Sequence, residues 1–363
     1  MTTPKRLGIL TSGGDCAGLN SAIRAVVHRA VGTYGWSVIG IKDGTLGLMN
    51  RPLETVEFTL SDLTGSLLRL GGTVLGTTNK GDPFAFPMPD GSRKDRSADF
   101  AEGFRQLGLD ALIVIGGDGS LKILRRLCQQ GKIPMVGIPK TIDNDVHLTE
   151  YSIGFSTGLD VAVEALDRLQ PTAASHHRVM ILEVMGRDAG HIALQAGIAG
   201  GVDVILMPEL RYNIEAVATK LRGVMKEGRS HGLVVVAEGV KTDMGDKVQV
   251  NWSGGESRYG GIGHWLGEQI AKTVGCETRV TVLGHVQRGG TPSMRDRVLA
   301  SSFGVHAVDL VAKGRFDRMV AWHDRSVVDV ALEDVVGVYR CVDAGGALVR
   351  TARGLGIYVG EID

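Results

Sequence analysis

The feature that most constrains this chain is a recurring unit: a short apolar run stops at glycine and acid, then gives way to a helical stripe. Arg6–Leu10, Ser37–Ile41, Ala111–Ile115, Pro134–Ile138, Val179–Val184, Val202–Met207, Leu233–Ala237 and Val280–Leu283 all read as strands. Several lack polar alternation, as strands covered on both faces of a parallel sheet should. Between them, Leu19, Ile23, Val26, Val27, Ala30 and Val31 form one helical stripe, and Leu121, Ile123, Leu124 and Leu127 form another. Strand and helix in alternation predict an α/β fold with doubly wound, mainly parallel sheets. A length of 363 residues favours one large or two ordinary domains. Gly81–Ala98, rich in Pro, Asp and charge, and Thr242–Gly263, rich in Gly and Ser, read as loops, the second as a lid or an interface loop.

Charge narrows the partners. Lys plus Arg and Asp plus Glu balance at 40 each, so no global basic field attracts nucleic acid or anionic lipid. An anionic ligand must therefore be held by local clusters. Cys16, Cys128, Cys276 and Cys341 lie far apart with no CxxC pair, which disfavours zinc and a disulfide framework and points to free thiols in a reducing cytoplasm. The start of the chain has no apolar stretch of signal-peptide kind. No window approaches the roughly 18 apolar residues of a spanning helix.

Ligands of open α/β sheets sit at the carboxyl ends of strands. Leu10-Thr11-Ser12-Gly13-Gly14-Asp15 runs from strand to helix there, either as a phosphate cradle at a helix N-terminus or as a plain tight turn. Ile115-Gly116-Gly117-Asp118-Gly119-Ser120 lets a phosphate chain lie against backbone, with Asp118 placed for Mg²⁺. That turn also resembles NAD kinases and diacylglycerol kinases, so it indicates a nucleotide kinase and says little of the acceptor. Pro139-Lys140-Thr141-Ile142-Asp143-Asn144-Asp145 sets two carboxylates two residues apart. One can take a proton from an attacking hydroxyl while the other serves Mg²⁺; alternatively the segment is an Asp-rich turn capping a helix.

Cations recur at other strand ends. Val184-Met185-Gly186-Arg187 places one, and Glu277-Thr278-Arg279 precedes Leu283-Gly284-His285-Val286-Gln287-Arg288-Gly289-Gly290. Arginine offers a planar fork to phosphate oxygens, and histidine adds a donor.

Taken in order, TSGGDCAGLN, GGTVLGTTN, IGGDGS, PKTIDND, EVMGR, VVVAEG and ETRVTVLGHVQRGG resemble the 6-phosphofructokinase family over roughly Arg6 to Val308. The NAD kinase and lipid kinase readings account for GGDG alone. The resemblance implies two Rossmann-like lobes with the active site in the cleft between them. It puts an ATP-binding lobe at 1–154 plus 287–337 and a fructose 6-phosphate-binding lobe at 155–286 plus 338–363.

The resemblance also assigns roles. ATP is expected near Gly14, Lys80, Gly117, Asp118, Gly119 and Ser120, with Mg²⁺ on Asp118 and Asp145. Asp143 matches the general base for the sugar 1-hydroxyl, Thr141 a residue beside the transferring phosphoryl group, and Arg187 the cation that balances its charge. Gly14 completes the catalytic set. Thr141, Ile142, Asp143, Met185, Gly186, Arg187, Glu238, His285, Val286, Gln287 and Arg288 match the acceptor site. Arg178 and Arg279 match two arginines that the family takes from a neighbouring subunit, which implies a homodimer or homotetramer with shared sites.

The phosphoryl donor rests on two positions. Gly119 stands where pyrophosphate-using relatives carry Asp, leaving room for ATP. Lys140 stands where bacterial ATP enzymes carry Gly and pyrophosphate enzymes carry Lys. ATP is the expected donor and pyrophosphate the alternative. Asn79 replaces the arginine that follows GGTxLGxx in many ATP enzymes, with Lys80 beside it. Arg24 matches one cation of the bacterial effector site, whereas His28 and Glu227 stand where further cations belong, so classical effector control is expected to be lost. A non-catalytic sugar-phosphate sensor would be expected to lack Asp118 or Asp143, and both are present.

Overall fold

The computed structural model describes residues 5–251 and 257–361. In chain order the main strands are β1 (Arg6–Ser12), β2 (Ser37–Ile41), β3 (Thr55–Phe58), β4 (Ala111–Gly116), β5 (Met135–Thr141), β6 (Val179–Val184), β7 (Val204–Leu206), β8 (Gly232–Ala237), β9 (Thr278–Val282), β10 (Arg318–His323) and β11 (Ser326–Ala331). The main helices are α1 (Leu19–Tyr34), α2 (Ser97–Gln106), α3 (Asp118–Gly131), α4 (Phe155–His176), α5 (His191–Ala199), α6 (Ile214–Lys226), α7 (Ile262–Val274), α8 (Met294–Ala312) and α9 (Ala347–Gly354). The chain divides into two compact units. The first holds Met1–Thr141, Asp145–Thr157 and Arg288–Tyr339, and the second holds Ile142–Asn144, Gly158–Gln287 and Arg340–Asp363.

The first unit is built on a sheet ordered β11-β10-β5-β4-β1-β2-β3. Its centre is parallel, and the antiparallel pairs β10–β11 and β2–β3 close its two edges. The central β4 is buried along its whole length, which is why its sequence shows no polar alternation. Phe100, Leu112, Val114, Leu121, Leu124 and Met319 lie in the core beneath the helices. Asp296 sits fully buried in the first turn of α8. It accepts from Gly154 N at 2.9 Å, Thr157 N at 2.7 Å and Thr157 Oγ1 at 2.5 Å, and so fixes the start of α4. Losing it would strand buried donors at a cost of about 1–3 kcal/mol each.

The second unit carries a parallel sheet ordered β7-β8-β6-β9. Both β6 and β8 are buried throughout, again matching their unbroken apolar runs. The exception is Glu183 within β6, whose carboxylate accepts from Gly263 N at 2.8 Å and Gly261 N at 3.2 Å. It thereby caps α7 at the end where the helix dipole favours negative charge.

Locally the elements differ from the sequence reading. β7 is only Val204–Leu206; the Asp203 before it has its backbone N–H on Leu233 O at 2.9 Å and its carboxylate accepting from Leu233 N at 2.9 Å. β9 begins at Thr278 and is half exposed, as an edge strand can be. Gly81–Ala98 is not all loop. Phe86–Pro87 pairs with Arg93–Lys94, and α2 starts at Ser97. Arg126 lies 3.7 Å over the Phe84 ring and Arg96 5.2 Å over Phe86, which tethers the segment through aromatic faces. Within Thr242–Gly263, Gln249–Asn251 pairs with Ser257–Tyr259; positions 252–256 lie outside the described residues.

Candidate active site

In the first unit the turns that follow β1, β4 and β5 come together. Gly13 has φ +86°, a conformation that costs an L side chain dearly. Its N–H donates to Thr78 O at 2.9 Å, and its carbonyl accepts from Thr77 Oγ1 at 2.7 Å. A Cβ built on Gly13 would lie 2.8 Å from Ser120 Oγ and 3.3 Å from Lys140 Nζ, so two predicted donor-side residues, Ser120 and Lys140, meet at the turn that holds Gly14. Lys140 is 4% exposed and its ammonium donates to the Gly14 carbonyl. Arg288 approaches the same turn. Its Nη1 donates to Asp15 O at 3.2 Å and lies 2.9 Å from where a Gly14 Cβ would be. The sequence reading gave Arg288 to the acceptor, and its guanidinium here lies on the Gly14–Asp15 backbone.

Asp118 opens α3, and Gly117 is its N-cap. The Asp118 carboxylate is buried and accepts from Gly337 N at 2.9 Å. Asp145, also buried, belongs to the same unit. Carboxylates are the hard oxygen donors that Mg²⁺ takes beside substrate phosphates, but among the described residues no group of three or more His, Cys, Asp or Glu is placed to hold a metal ion. Gly119 differs from its neighbours. A Cβ there meets no heavy atom within 4 Å, so packing does not require glycine at this position. Lys80 is exposed, with its own N–H on Thr78 Oγ1 at 3.1 Å, and its ammonium makes no hydrogen bond or ion pair among the described residues. Thr141 ends β5, and its carbonyl accepts from Ser152 Oγ at 2.8 Å.

The second unit gathers another group at the carboxyl ends of β6 and β8. Gly186 and Arg187 both have positive φ, +145° and +50°, in the turn after β6. Arg187 N donates to Glu238 Oε1 at 3.1 Å, and Glu238 N donates to Val184 O at 2.8 Å. The Arg187 side chain is exposed. Burial pushes the Glu238 carboxyl up from its ordinary 4.5 to about 7; the Arg187 N–H opposes this, and the nearby Asp143 charge adds to it. Asp143 itself is 3% exposed, flanked by buried Ile142 and by Asn144 in the left-handed region. Asp143 and Glu238 thus lie close enough to feel one another's charge.

Among the residues expected to touch the acceptor, Gln287 behaves differently. It is 1% exposed, its Oε1 accepts from Met185 N at 2.7 Å and its Nε2 donates to Gly158 O at 3.3 Å. Both ends of its amide are thus engaged inside the protein. His285 and Val286 are exposed.

Arg178 and Arg279 lie at the amino ends of β6 and β9, the opposite end of this sheet. Arg178 precedes β6, whereas Met185 follows it. At about 3.3 Å per residue, the two sites are roughly 20 Å apart along the strand. Arg178 Nε donates to Glu277 Oε2 at 2.5 Å, and Arg279 Nη2 donates to Glu277 Oε1. The sequence reading gave Glu277 no role, although it sits inside the quoted ETRVTVLG segment.

The residues compared with the bacterial effector site are also placed. Arg24 Nε donates to Leu63 O at 3.2 Å, and His28 Nε2 lies 3.2 Å from the same carbonyl. Glu227 lines a cavity of about 460 Å³ with Asp203, Lys220 and Arg229, and Arg229 is ion-paired to Asp203 there. Among the described residues no helix is long and apolar enough to cross a membrane.

The glycine turns, the buried carboxylates and the two parallel sheets find a match in known proteins. Residues 6–311 match the model of the family described as Phosphofructokinase. The chain is 61% identical over 357 residues to ATP-dependent 6-phosphofructokinase 1 of Synechocystis sp., covering 98% of this chain and 99% of that one. It is 58% identical over 361 residues to ATP-dependent 6-phosphofructokinase 1 of Nostoc sp., covering 99% and 100%. A crystal structure of a pyrophosphate-dependent phosphofructokinase from Nitrosospira multiformis superposes with a TM-score of 0.82 at 20% identity, covering 99% and 93%, which is a likeness of fold alone. With a family match from β1 into α8 and relatives aligned nearly end to end, this chain belongs to the phosphofructokinase family.

Proposed function

We propose that the protein transfers the γ-phosphate of ATP to the 1-hydroxyl of fructose 6-phosphate, giving fructose 1,6-bisphosphate. The observation that carries this reading is the buried Asp143 carboxylate set near Glu238, beside the Met185–Arg187 turn of the second unit. Asp143 takes the proton of the attacking hydroxyl, a role that needs a carboxylate held in one place. Glu238 and the backbone of Met185 and Gly186 orient the sugar. Arg187, whose side chain is exposed, meets charge on the transferring group.

The donor's phosphates lie against Gly13, Gly14 and the N-terminus of α3, where backbone N–H groups and the helix dipole favour anions. Thr141 and Ser120 stand beside them. Asp118 and Asp145 hold Mg²⁺, which when bound neutralises phosphate charge. The empty space at Gly119 favours a nucleotide, since an Asp there would set a carboxylate against a polyanion. The relatives at 58% and 61% identity are both named ATP-dependent, which supports the same choice. Pyrophosphate is the second reading, favoured by Lys140, whose ammonium adds positive charge beneath the turn.

The acceptor's phosphate is held by His285 and by Arg178 and Arg279 of a neighbouring subunit in a homo-oligomer. What supports this is their distance from Met185 within one chain. The reading is tested by a coupled assay at fixed fructose 6-phosphate with either donor. Activity with ATP exceeding that with pyrophosphate is expected. A larger kcat/KM with pyrophosphate would overturn the donor choice, and no turnover with either would overturn the reaction.

A further inference from the structure

Two arginines that should repel one another are instead drawn together by a residue that the proposed reaction does not use. Thr278 pairs with Val179 across the β6–β9 ladder, and Val179 N donates to Glu277 O at 3.0 Å. The backbone therefore fixes residues 178 and 277–279 side by side at the amino ends of these two strands. From there the Glu277 side chain reaches both guanidiniums at once. One carboxylate oxygen takes Arg178 at Nε, 2.5 Å away, and the other takes Arg279 at Nη2. The remaining Arg279 terminal nitrogen, Nη1, donates to Thr278 O at 2.9 Å.

This arrangement has a chemical consequence. Bonding at Nε orients the Arg178 plane and occupies the side edge of its guanidinium, leaving the end edge formed by Nη1 and the outer hydrogen of Nη2 for another acceptor. Those terminal nitrogens form the end of the guanidinium fork that grips an anion. One carboxylate between two guanidiniums also removes their mutual repulsion and leaves one net positive charge. Both arginines hold the Glu277 carboxyl below its ordinary range, so it stays ionised at neutral pH. The side chain is itself about half exposed, so it is within reach of solvent and of a docked neighbour.

We propose that Glu277 is a positioning residue for the acceptor's phosphate, fastening Arg178 and Arg279 into one anion receptor. The proposal rests on the reading of those arginines as phosphate ligands and adds a third member to the pair. It does not make Glu277 a ligand, since a carboxylate would repel the phosphate directly. Glu277 acts only through the two cations.

Kinetics of the full-length enzyme separate the possibilities. E277Q keeps the shape and removes the charge; it is expected to raise KM for fructose 6-phosphate by about 3–10-fold while leaving kcat within about 2-fold. E277D, which keeps the charge on a shorter stem, is expected to recover part of the loss. In an R178A/R279A background E277Q is expected to change KM by less than about 2-fold, because a positioning effect vanishes with the groups it positions. An E277Q enzyme with unchanged or lowered KM would overturn the proposal and mark Glu277 as idle or as a competitor of the phosphate. An E277Q effect that persists undiminished in the double-arginine background would also overturn it, by showing a general structural role. If R178A and R279A themselves leave KM unchanged, the phosphate reading of the arginines fails first, and the two failures are told apart.

Discussion

Gln287 Oε1 accepts the Met185 amide proton at 2.7 Å, and this one bond ties the η-turn Gly284–Arg288 to the turn that ends β6. The buried glutamine thus braces the turn assigned to the proposed acceptor site, with both ends of its amide turned to the backbone. Q287L removes both amide contacts and leaves a buried N–H without its partner, a loss of about 1–3 kcal/mol. A lower melting temperature and a raised KM for fructose 6-phosphate are expected, with KM for ATP unchanged. Retention of the wild-type sugar KM in a folded Q287L enzyme would show that the turn holds itself.

Asp143 is the proposed base. D143N is expected to lower kcat by roughly 10²–10⁴-fold with little change in either KM, since amide and carboxylate have the same shape. Steady-state kinetics in both substrates check this, and a variant with half of wild-type kcat would take Asp143 out of the proton transfer.

Glu238 gives a pH signature that does not depend on activity. Its folded-state pKa of about 7 lies above its ordinary 4.5. A group raised in this way contributes stability that is fully present below pH 4.5 and is lost as pH rises through 7. E238Q abolishes that dependence. Thermal melts should therefore show the variant gaining on wild type between about pH 5 and pH 8, by at most about 3 kcal/mol. Parallel melting curves across that range would mean that the Glu238 carboxyl titrates at its ordinary value.

The distance of Arg178 and Arg279 from Met185 leads to a complementation experiment. R279A and D143N enzymes are each expected to be weak, the first through KM and the second through kcat. Subunit exchange between them should restore activity, because some sites in the hybrids join an intact Asp143 with an intact Arg279. Verified hybrids with no recovered activity would argue that each chain completes its own site.

At Gly119 stability and activity should part. An acid in the first turn of α3 gains about 0.3–1 kcal/mol from the helix dipole, and aspartate gains about 0.1–0.3 kcal/mol over glycine in helix propensity. G119D is therefore expected to melt no lower than wild type while losing nearly all activity with ATP. Substantial ATP turnover by G119D would remove this position from donor choice.

The parallel sheets were legible because burial on both faces writes itself as unbroken apolar runs, as in β4 and β6. The turns after them were legible because Gly13, Gly117 and Asp118 stand directly after those runs. Side-chain direction was not. Nothing in the string of residues tells that Gln287 points inward to Met185, or that Arg288 folds onto the Gly14–Asp15 backbone. Glu277 escaped for a related reason: its significance lies in touching Arg178, 99 positions away, and only the pairing of β6 with β9 creates that contact.

The open space around Gly119 bears on descent as well as on chemistry. Glycine and aspartate codons differ at their second base, so a point mutation can exchange the two residues. The surrounding atoms are far enough away that the exchange asks nothing of the fold. A lineage with this architecture can therefore exchange this one residue in a single mutational step, with no compensating substitutions needed to keep the protein intact.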